Sequence, residues 1–137
     1  MARINEVMTR NPRSVRSGDS VVDAARLMRE EDAGIVPITD GDRLVGVVTD
    51  RDIALRVVAE QKDAKATKVG EVASQNVVTI DPQQDLDEAL RLMAQHQVRR
   101  LPVVEEDGRL VGILAQADVA RHADVSRTGE VVEKISE

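Results

Sequence analysis

The most constraining feature of this 137-residue chain is that its sequence repeats itself once. Short matched segments recur at an offset of 65 residues (6 to 71), and after one inserted residue the offset becomes 66 (43 to 109). The matched pairs are Glu6-Val7 with Glu71-Val72, Ala24-x-Arg26-Leu27-Met28 with Ala89-x-Arg91-Leu92-Met93, Val36-Pro37-Ile38 with Leu101-Pro102-Val103, Arg43-Leu44-Val45-Gly46 with Arg109-Leu110-Val111-Gly112, and Asp52 with Asp118. A long period that is present only twice indicates a duplicated domain rather than a solenoid.

Each copy predicts the same order of elements, β-α-β-β-α. A short extended pair comes first, and the helix that follows begins with the spacing of a capping box, at Ser20 and at Asp85. Two apolar runs joined by a turn that contains Asp-Gly then indicate a hairpin, and a second helix closes the copy. The predicted segments are 14–15, a helix from 20, 35–39, 44–48 and 50–59 in the first copy, and 79–80, a helix from 85, 100–104, 110–114 and 116–122 in the second.

This order predicts a mixed α/β (α+β) fold, with two repeats packed sheet to sheet and related by pseudo-twofold symmetry. One unit alone would leave an apolar sheet face exposed, which a second unit can cover. The predicted boundaries are 1–59 for the first repeat, 60–68 for a polar linker, 69–122 for the second repeat and 123–137 for a polar tail. The tail has one amphipathic stretch (Val131, Val132 and Ile135), which predicts either a docking helix or a frayed end.

Composition excludes several classes of function. No cysteine is present, which removes disulfides, thiolate nucleophiles and cysteine metal sites. The chain also has no aromatic residue and a net charge of −6, and both argue against a nucleic-acid partner. Any bound base must therefore lie against aliphatic side chains. No apolar run reaches the length of a membrane span and no export signal is visible, so the expected location is the cytoplasm, with no membrane partner.

One stretch of the first copy carries the candidate chemistry. Gly46-Val47-Val48-Thr49-Asp50-Arg51-Asp52-Ile53 combines a glycine, the end of an apolar strand, a threonine and, three residues later, an aspartate. By spacing alone, Thr49 and Asp52 can form a capping box. The second copy has Ala115 in place of the threonine but retains Asp118, which suggests another task for the carboxylate. Arg51 can reach a phosphate or pair with Asp50, and the sequence does not choose.

With this motif inside a duplicated β-α-β-β-α unit, residues 3–122 resemble a pair of CBS domains, also called a Bateman module. The resemblance implies that Asp52 accepts hydrogen bonds from ribose hydroxyls and that Thr49 contacts the ribose or a phosphate. It also implies two clefts, each completed by the residues before the central proline of the other repeat. Arg99 and Arg100 would then meet the phosphates of a ligand at Asp52, the alternatives being a solvated strand edge or salt bridges to carboxylates.

The two predicted clefts are unequal. The cleft of Asp118 has Ala115 in place of a threonine and receives Gly34 and Ile35 where the other receives arginines, so we expect it to be weak or empty. His96 also lies near the arginines, although a surface position at a helix end is its simpler interpretation. The remaining candidates would flank the base, and each is also a candidate core residue. They are Ser14, Val15, Ile35, Val36 and Pro37 for the first cleft, and Thr79, Ile80, Leu101 and Pro102 for the second.

The sequence has no paired nucleophile and base, no zinc spacing and no Gly-rich phosphate loop, so it predicts a protein that is not an enzyme and requires no cofactor or metal. The resemblance implies a regulatory module that senses an adenine nucleotide (AMP, ADP or ATP) or a related adenosyl ligand. It also implies a homodimer and a separate effector protein. The alternative is a ligand-free module for dimerisation or protein interaction.

Overall fold

The computed structural model describes residues 2–74 and 76–123, and the amphipathic stretch predicted for the tail lies outside them. The helices are α1 (Ile4–Val7), α2 (Val21–Glu31), α3 (Asp50–Ile53), α4 (Val69–Val72), α5 (Leu86–His96) and α6 (116–123), and the strands are β1 (Thr9–Arg10), β2 (Ile35–Asp40), β3 (Arg43–Thr49), β4 (Arg100–Val104) and β5 (Leu110–Ala115). The predicted mixture of helices and strands is confirmed. Within the described ranges, no helix has both the length and the apolar character needed to cross a membrane.

The described chain divides into two compact units whose composition differs from that of the two sequence repeats. The first-repeat unit contains residues 11–74, 76–77 and 104–110, and the second-repeat unit contains residues 2–10, 78–103 and 111–123. Each unit therefore includes a short helix that belongs, by sequence, to the other repeat: α4 in the first-repeat unit and α1 in the second-repeat unit. The sequence does not predict this exchange, because a helix of four residues is too short to show a helical period.

The first-repeat unit is built on α2 and the hairpin of β2 and β3. The two strands pair antiparallel from Ile35 opposite Thr49 to Asp40 opposite Arg43, so the predicted hairpin is confirmed with slightly longer strands. Gly41 begins the turn with a φ of 64°, a conformation that glycine adopts at little steric cost.

The apolar faces of this unit meet in one cluster of buried side chains. The predicted first strand is reduced to a single parallel bridge between Val15 and Ile38, and both side chains belong to the cluster. The exchanged helix α4 adds Val69 and Val72, which expose 0% and 1% of their surface. Because α4 supplies fully buried side chains, it is part of this core rather than a linker lying on it.

The second-repeat unit repeats the arrangement with its own cluster. β5 lies between β4 and β1, and Thr9 of β1 stands opposite Ile113 of β5. The exchanged helix α1 contributes Ile4, which is fully buried, and it packs against the α5 side chains Leu86, Ala89 and Met93. The predicted second helix of this repeat is present over 116–123.

The starts of the two long helices differ from the predicted capping boxes. Ser20 caps α2 by accepting the N–H of Val22 at 2.9 Å. The predicted cap at Asp85 is wrong, since its side chain makes no capping hydrogen bond. The N–H of Leu86 instead donates to the carbonyl of Ala2 at 3.3 Å, so the exchanged N-terminal segment satisfies the helix start with a backbone group.

The helix predicted over 50–59 changes its hydrogen-bonding pattern after one turn. α3 is followed directly by a π-helical turn over Ala54–Val58, in which the N–H of Ala59 reaches the carbonyl of Ala54 at 2.9 Å. Such turns insert one extra residue into a helix and often occur at functional sites. The turn leaves Leu55 and Val58 on the surface, 50% and 69% exposed.

Candidate functional site

The candidate site begins at the junction of β3 and α3, where Thr49 and Asp52 form a complete capping box. The hydroxyl of Thr49 accepts the N–H of Asp52 at 3.0 Å, and Oδ2 of Asp52 accepts the N–H of Thr49 at 2.9 Å. The capping box that the spacing of Thr49 and Asp52 predicts is therefore present. It does not exclude a ligand role, because a carboxylate has two oxygens with about four acceptor positions in all.

Two further side chains hold the Asp52 carboxylate, and sequence analysis missed both. The Ser74 hydroxyl lies 3.2 Å from Oδ2 and 3.3 Å from Oδ1, and Nη1 of Arg56 lies 3.7 Å from Oδ1. Asp52 itself is only 8% exposed. Oδ1 thus carries a shared hydroxyl proton and a long ion pair, and it is the oxygen with more remaining acceptor capacity.

A sequence signal for Ser74 existed. The repeat match of Glu6-Val7 with Glu71-Val72 continues, at the same offset, to Thr9 and Ser74, which are both small hydroxyl residues. Ser74 bridges to Val47 of β3, and Thr9 pairs with the equivalent residue of β5, Ile113.

Asp118, the equivalent aspartate of the second repeat, keeps only half of this arrangement. Its Oδ2 accepts the N–H of Ala115 at 3.2 Å, and its Oδ1 pairs with the guanidinium of Arg121. The argument that Asp118 persists without a capping partner is therefore wrong, because the backbone N–H of Ala115 is that partner and needs no hydroxyl. Retention of this carboxylate has a structural explanation.

The residues predicted to flank a base divide between core and surface. Val15 and Val36 belong to the core of the first-repeat unit, and Ile80 and Leu101 belong to that of the second-repeat unit. Pro37 and Pro102 are also buried, Ile35 and Gly34 are half-buried, and Ser14 and Thr79 are exposed. The buried side chains have little surface to offer a ligand, so exposed or half-buried positions and backbone groups are the stronger candidates.

Ser14 differs from the other candidates in having both a side-chain hydrogen bond and adjoining surface pockets. Its hydroxyl lies 2.8 Å from that of Thr39, and it lines two surface pockets of about 280 and 270 Å³. Both pockets lie within the first-repeat unit. Neither is lined by Thr49 or Asp52, so the pockets and the motif are separate features of this surface.

The predicted basic residues are found in different settings. Arg51 is exposed, and its backbone N–H donates to Oδ1 of Asp50 at 2.8 Å. Arg99 is exposed and Arg100 is half-buried in the second-repeat unit, and their contact with a ligand phosphate stays a prediction. His96 is exposed at the end of α5, in agreement with the simpler interpretation.

No group of three or more His, Asp or Glu side chains among residues 2–74 and 76–123 is placed to hold a metal ion. Within this part of the chain the site is therefore described by carboxylate, hydroxyl and guanidinium groups alone.

Comparison with known proteins agrees with the repeat structure. The sequence profile of the CBS domain matches residues 4–59 and again residues 69–124. The chain is 41% identical to the CBS domain-containing protein YhcV of Bacillus subtilis over 120 residues, which cover 88% of this chain and 84% of that protein.

Solved structures give the same result. A crystal structure of Hypoxic Response Protein I with two coordinated zinc ions superposes with a TM-score of 0.80 at 39% identity, covering 88% of this chain and 98% of the other. The structure of CBSX2 in complex with AMP superposes with a TM-score of 0.79 at 31% identity, covering 93% and 99%. The chain therefore belongs to the CBS domain family and carries two consecutive copies of the domain.

Proposed function

We propose that this protein is a non-catalytic regulatory module that binds an adenine nucleotide, or a related adenosyl compound, at Asp52. The observation that carries the proposal is the AMP complex of CBSX2, a protein of the same fold that aligns with 93% of this chain. The motif from Gly46 to Asp52, which predicted such a ligand, occupies the junction of β3 and α3.

The chemistry at Asp52 suits a sugar diol. An ionised carboxylate accepts hydrogen bonds from both hydroxyls of a cis-diol, and each such charge-assisted bond contributes about 1.5–3 kcal/mol. Oδ2 is already occupied by the N–H of Thr49, so we expect the diol to use mainly Oδ1. The base must lie on aliphatic or backbone surface, because the chain has no aromatic residue.

Binding is proposed to be unequal between the two repeats. At Asp118 a guanidinium already neutralises the carboxylate at hydrogen-bonding distance, and Ala115 provides no hydroxyl. A ligand at Asp118 would have to displace Arg121, and breaking this ion pair would reduce the free energy gained on binding. The expected order of affinity is therefore Asp52 before Asp118, with Arg99 and Arg100 predicted to contact the phosphate of the tighter ligand.

Isothermal titration calorimetry with AMP, ADP, ATP, NAD and S-adenosylmethionine tests the proposal. We expect at least one ligand to bind, and a ligand at 100 times its Kd to stabilise the fold by about 2.7 kcal/mol. Asp52→Asn preserves the volume and an acceptor for Thr49 but loses the charge, and it should abolish the tight site. Asp118→Asn is the matched control and should leave that site unchanged. Equal losses in the two variants would disprove the asymmetry.

A second candidate function, assembly without a ligand, is favoured by two observations. Asp52 and Asp118 both have partners within their own units, and the π-helical turn exposes Leu55 and Val58, apolar side chains suited to a protein contact. Sedimentation velocity of Val58→Asp distinguishes this candidate. A smaller assembly together with no binding of any of the five ligands would favour it over the nucleotide module.

A further inference from the structure

Ser74 is a residue outside the motif that touches the centre of the proposed site. It lies 22 residues beyond Asp52 in the sequence, on the segment that follows the exchanged helix α4. Its hydroxyl reaches both oxygens of the Asp52 carboxylate, at 3.2 and 3.3 Å. The exchanged segment therefore places a hydrogen-bond donor on the carboxylate that the proposed ligand would use.

The backbone of Ser74 is held by two hydrogen bonds to Val47 of β3. Its N–H donates to the carbonyl of Val47 at 2.9 Å, and its carbonyl accepts the N–H of Val47 at 3.1 Å. A Cβ at Gly46 would approach that carbonyl to 3.1 Å, so the glycine of the motif allows this close pairing. The hydroxyl of Ser74 consequently has a defined position relative to the carboxylate.

A second link ties the same segment to Asp52. Arg56 donates from Nη1 to the carbonyl of Val72 at 2.9 Å while the same nitrogen lies 3.7 Å from Oδ1 of Asp52. The end of α4 and the carboxylate are thus connected through one hydroxyl and one guanidinium.

We infer that Ser74 is the positioning residue for Asp52, which sets the orientation of the carboxylate for a sugar diol. With the N–H of Thr49 on Oδ2 and the Ser74 hydroxyl shared between both oxygens, rotation of the carboxylate is restricted and Oδ1 keeps its acceptor capacity. The inference rests on the proposed function, because it names the residue that prepares that same site for its ligand.

The second-repeat unit supplies an internal comparison. Thr9 occupies the position equivalent to Ser74, is exposed, and makes no side-chain hydrogen bond among those of the described residues, while Asp118 pairs with Arg121. The hydroxyl is therefore present in both units, and in the first-repeat unit it engages the carboxylate.

The test measures the Kd of the full chain for AMP and for 2′-deoxy-AMP, which lacks one hydroxyl of the diol. Ser74→Ala should weaken AMP roughly tenfold and 2′-deoxy-AMP much less, so that the preference for the intact diol falls. Ser74→Thr keeps a hydroxyl and should restore most of that preference. Thr9→Ala is the matched control and should change neither Kd. Equal weakening of both nucleotides by Ser74→Ala would overturn the positioning role.

A measurement without ligand separates this inference from the proposed function. Thermal unfolding followed by circular dichroism should show that Ser74→Ala lowers Tm in the otherwise unaltered chain but has little effect in a chain carrying Asp52→Ala. Additive Tm shifts would overturn the contact whether or not AMP binds. Non-additive shifts, together with no binding of AMP, ADP, ATP, NAD or S-adenosylmethionine, would overturn the proposed function and leave Ser74 as the residue that orients Asp52.

Discussion

Position 46 of β3 requires a glycine for a steric reason. Its backbone is not in the left-handed region, so conformational freedom is not the reason. The reason is space, because a Cβ there would lie 3.1 Å from the carbonyl oxygen of Ser74, which is itself bonded to Val47. A Cβ at Gly112, the equivalent residue, would collide with the sulfur of Met8 and would lie 3.0 Å from the carbonyl oxygen of Thr9. Each glycine therefore allows an exchanged segment to pass close to the strand.

Gly46→Ala should lower the free energy of unfolding by about 1–3 kcal/mol, because the neighbour that must move is hydrogen-bonded backbone. Gly18→Ala is the control, since no atom lies within 4 Å of its added Cβ, and it should be neutral or stabilising by about 0.4–1 kcal/mol. Urea unfolding followed by circular dichroism measures both. A Gly46→Ala variant as stable as the unaltered chain would show that the exchanged segment is not held against β3.

Single residues also mark how far the sequence could predict the site. The spacing of Thr49 and Asp52 was sufficient to locate both a capping box and a candidate ligand carboxylate. The repeat match marks Ser74 as a residue equivalent to Thr9, but its contact with Asp52 could not be predicted, because that contact depends on which unit receives the segment after α4. Val15 and Val36 show another limit of the sequence: both are predicted ligand contacts and both lie in the core, because an apolar residue in a strand suits either role.

The long helices α2 and α5 begin with different chemistry although their sequences align. Both receive a backbone carbonyl at the first N–H, from Thr67 for Val21 and from Ala2 for Leu86. Only α2 adds a side-chain cap, from Ser20. Spacing predicted a cap at both starts because it counts residue types, whereas the actual cap depends on the rotamer and on what else occupies the helix end.

This difference predicts unequal costs of truncation. Ser20→Ala should destabilise the chain by about 1 kcal/mol, because the N–H of Val22 loses its acceptor. Asp85→Ala should cost only a few tenths of a kcal/mol, which is the size of a charge effect near a helix start. Denaturant unfolding of the two variants provides the comparison, and equal losses would mean that Asp85 caps α5 in solution.

An ion pair on the surface of α5 gives a pH-dependent prediction. The guanidinium of Arg91 hydrogen-bonds to Glu88 and lowers the pKa of that carboxyl below its ordinary value. A lowered folded-state pKa stabilises the fold above the ordinary carboxyl pKa, and the contribution is lost as the pH falls through the folded value. We expect an NMR titration of Glu88 to move to higher pH in Arg91→Gln; an unchanged midpoint would show that the pair does not form in solution.

The helix after β3 is the element that sequence analysis described least completely. Residues 50–59 are predicted as one helix, and they are helical. From Ala54, however, the backbone hydrogen bonds change from the α type to the π type. Apolar periodicity reports which side chains face the core, and it does not report whether an N–H bonds four or five residues back. In contrast, the strand predicted over 100–104 agrees with β4 at both ends, because a short apolar run between turn residues has few alternatives.

At the scale of the whole molecule, the sequence predicted two related halves but assigned their segments differently from the structure. Ile4 is fully buried with the second-repeat core, and its equivalent, Val69, is fully buried with the first-repeat core. The repeats defined by sequence therefore differ from the units that share a core. A chain-order argument could not detect this, since both assignments leave the same residues apolar.

The exchange of α1 and α4 between the repeats predicts which unit each mutation destabilises. Ile4→Ala should cost about 2–5 kcal/mol and reduce hydrogen-exchange protection over 80–103 and 111–119, while Val69→Ala should reduce protection over 15–57. Native-state hydrogen exchange with mass spectrometry measures both patterns. If Ile4→Ala instead exposed residues 15–57, the segments would follow the sequence repeats and the exchange would be absent.

The placement of α1 also has a consequence during synthesis. Residues 2–10 are synthesised before the rest of the unit whose core they join, and that core extends to Val119 of α6. At about 5–20 residues per second, roughly 6–23 s pass between the synthesis of Ile4 and that of Val119. During that interval the nascent chain carries an apolar segment whose core is incomplete, and synthesis of the second repeat is what allows this segment to be buried.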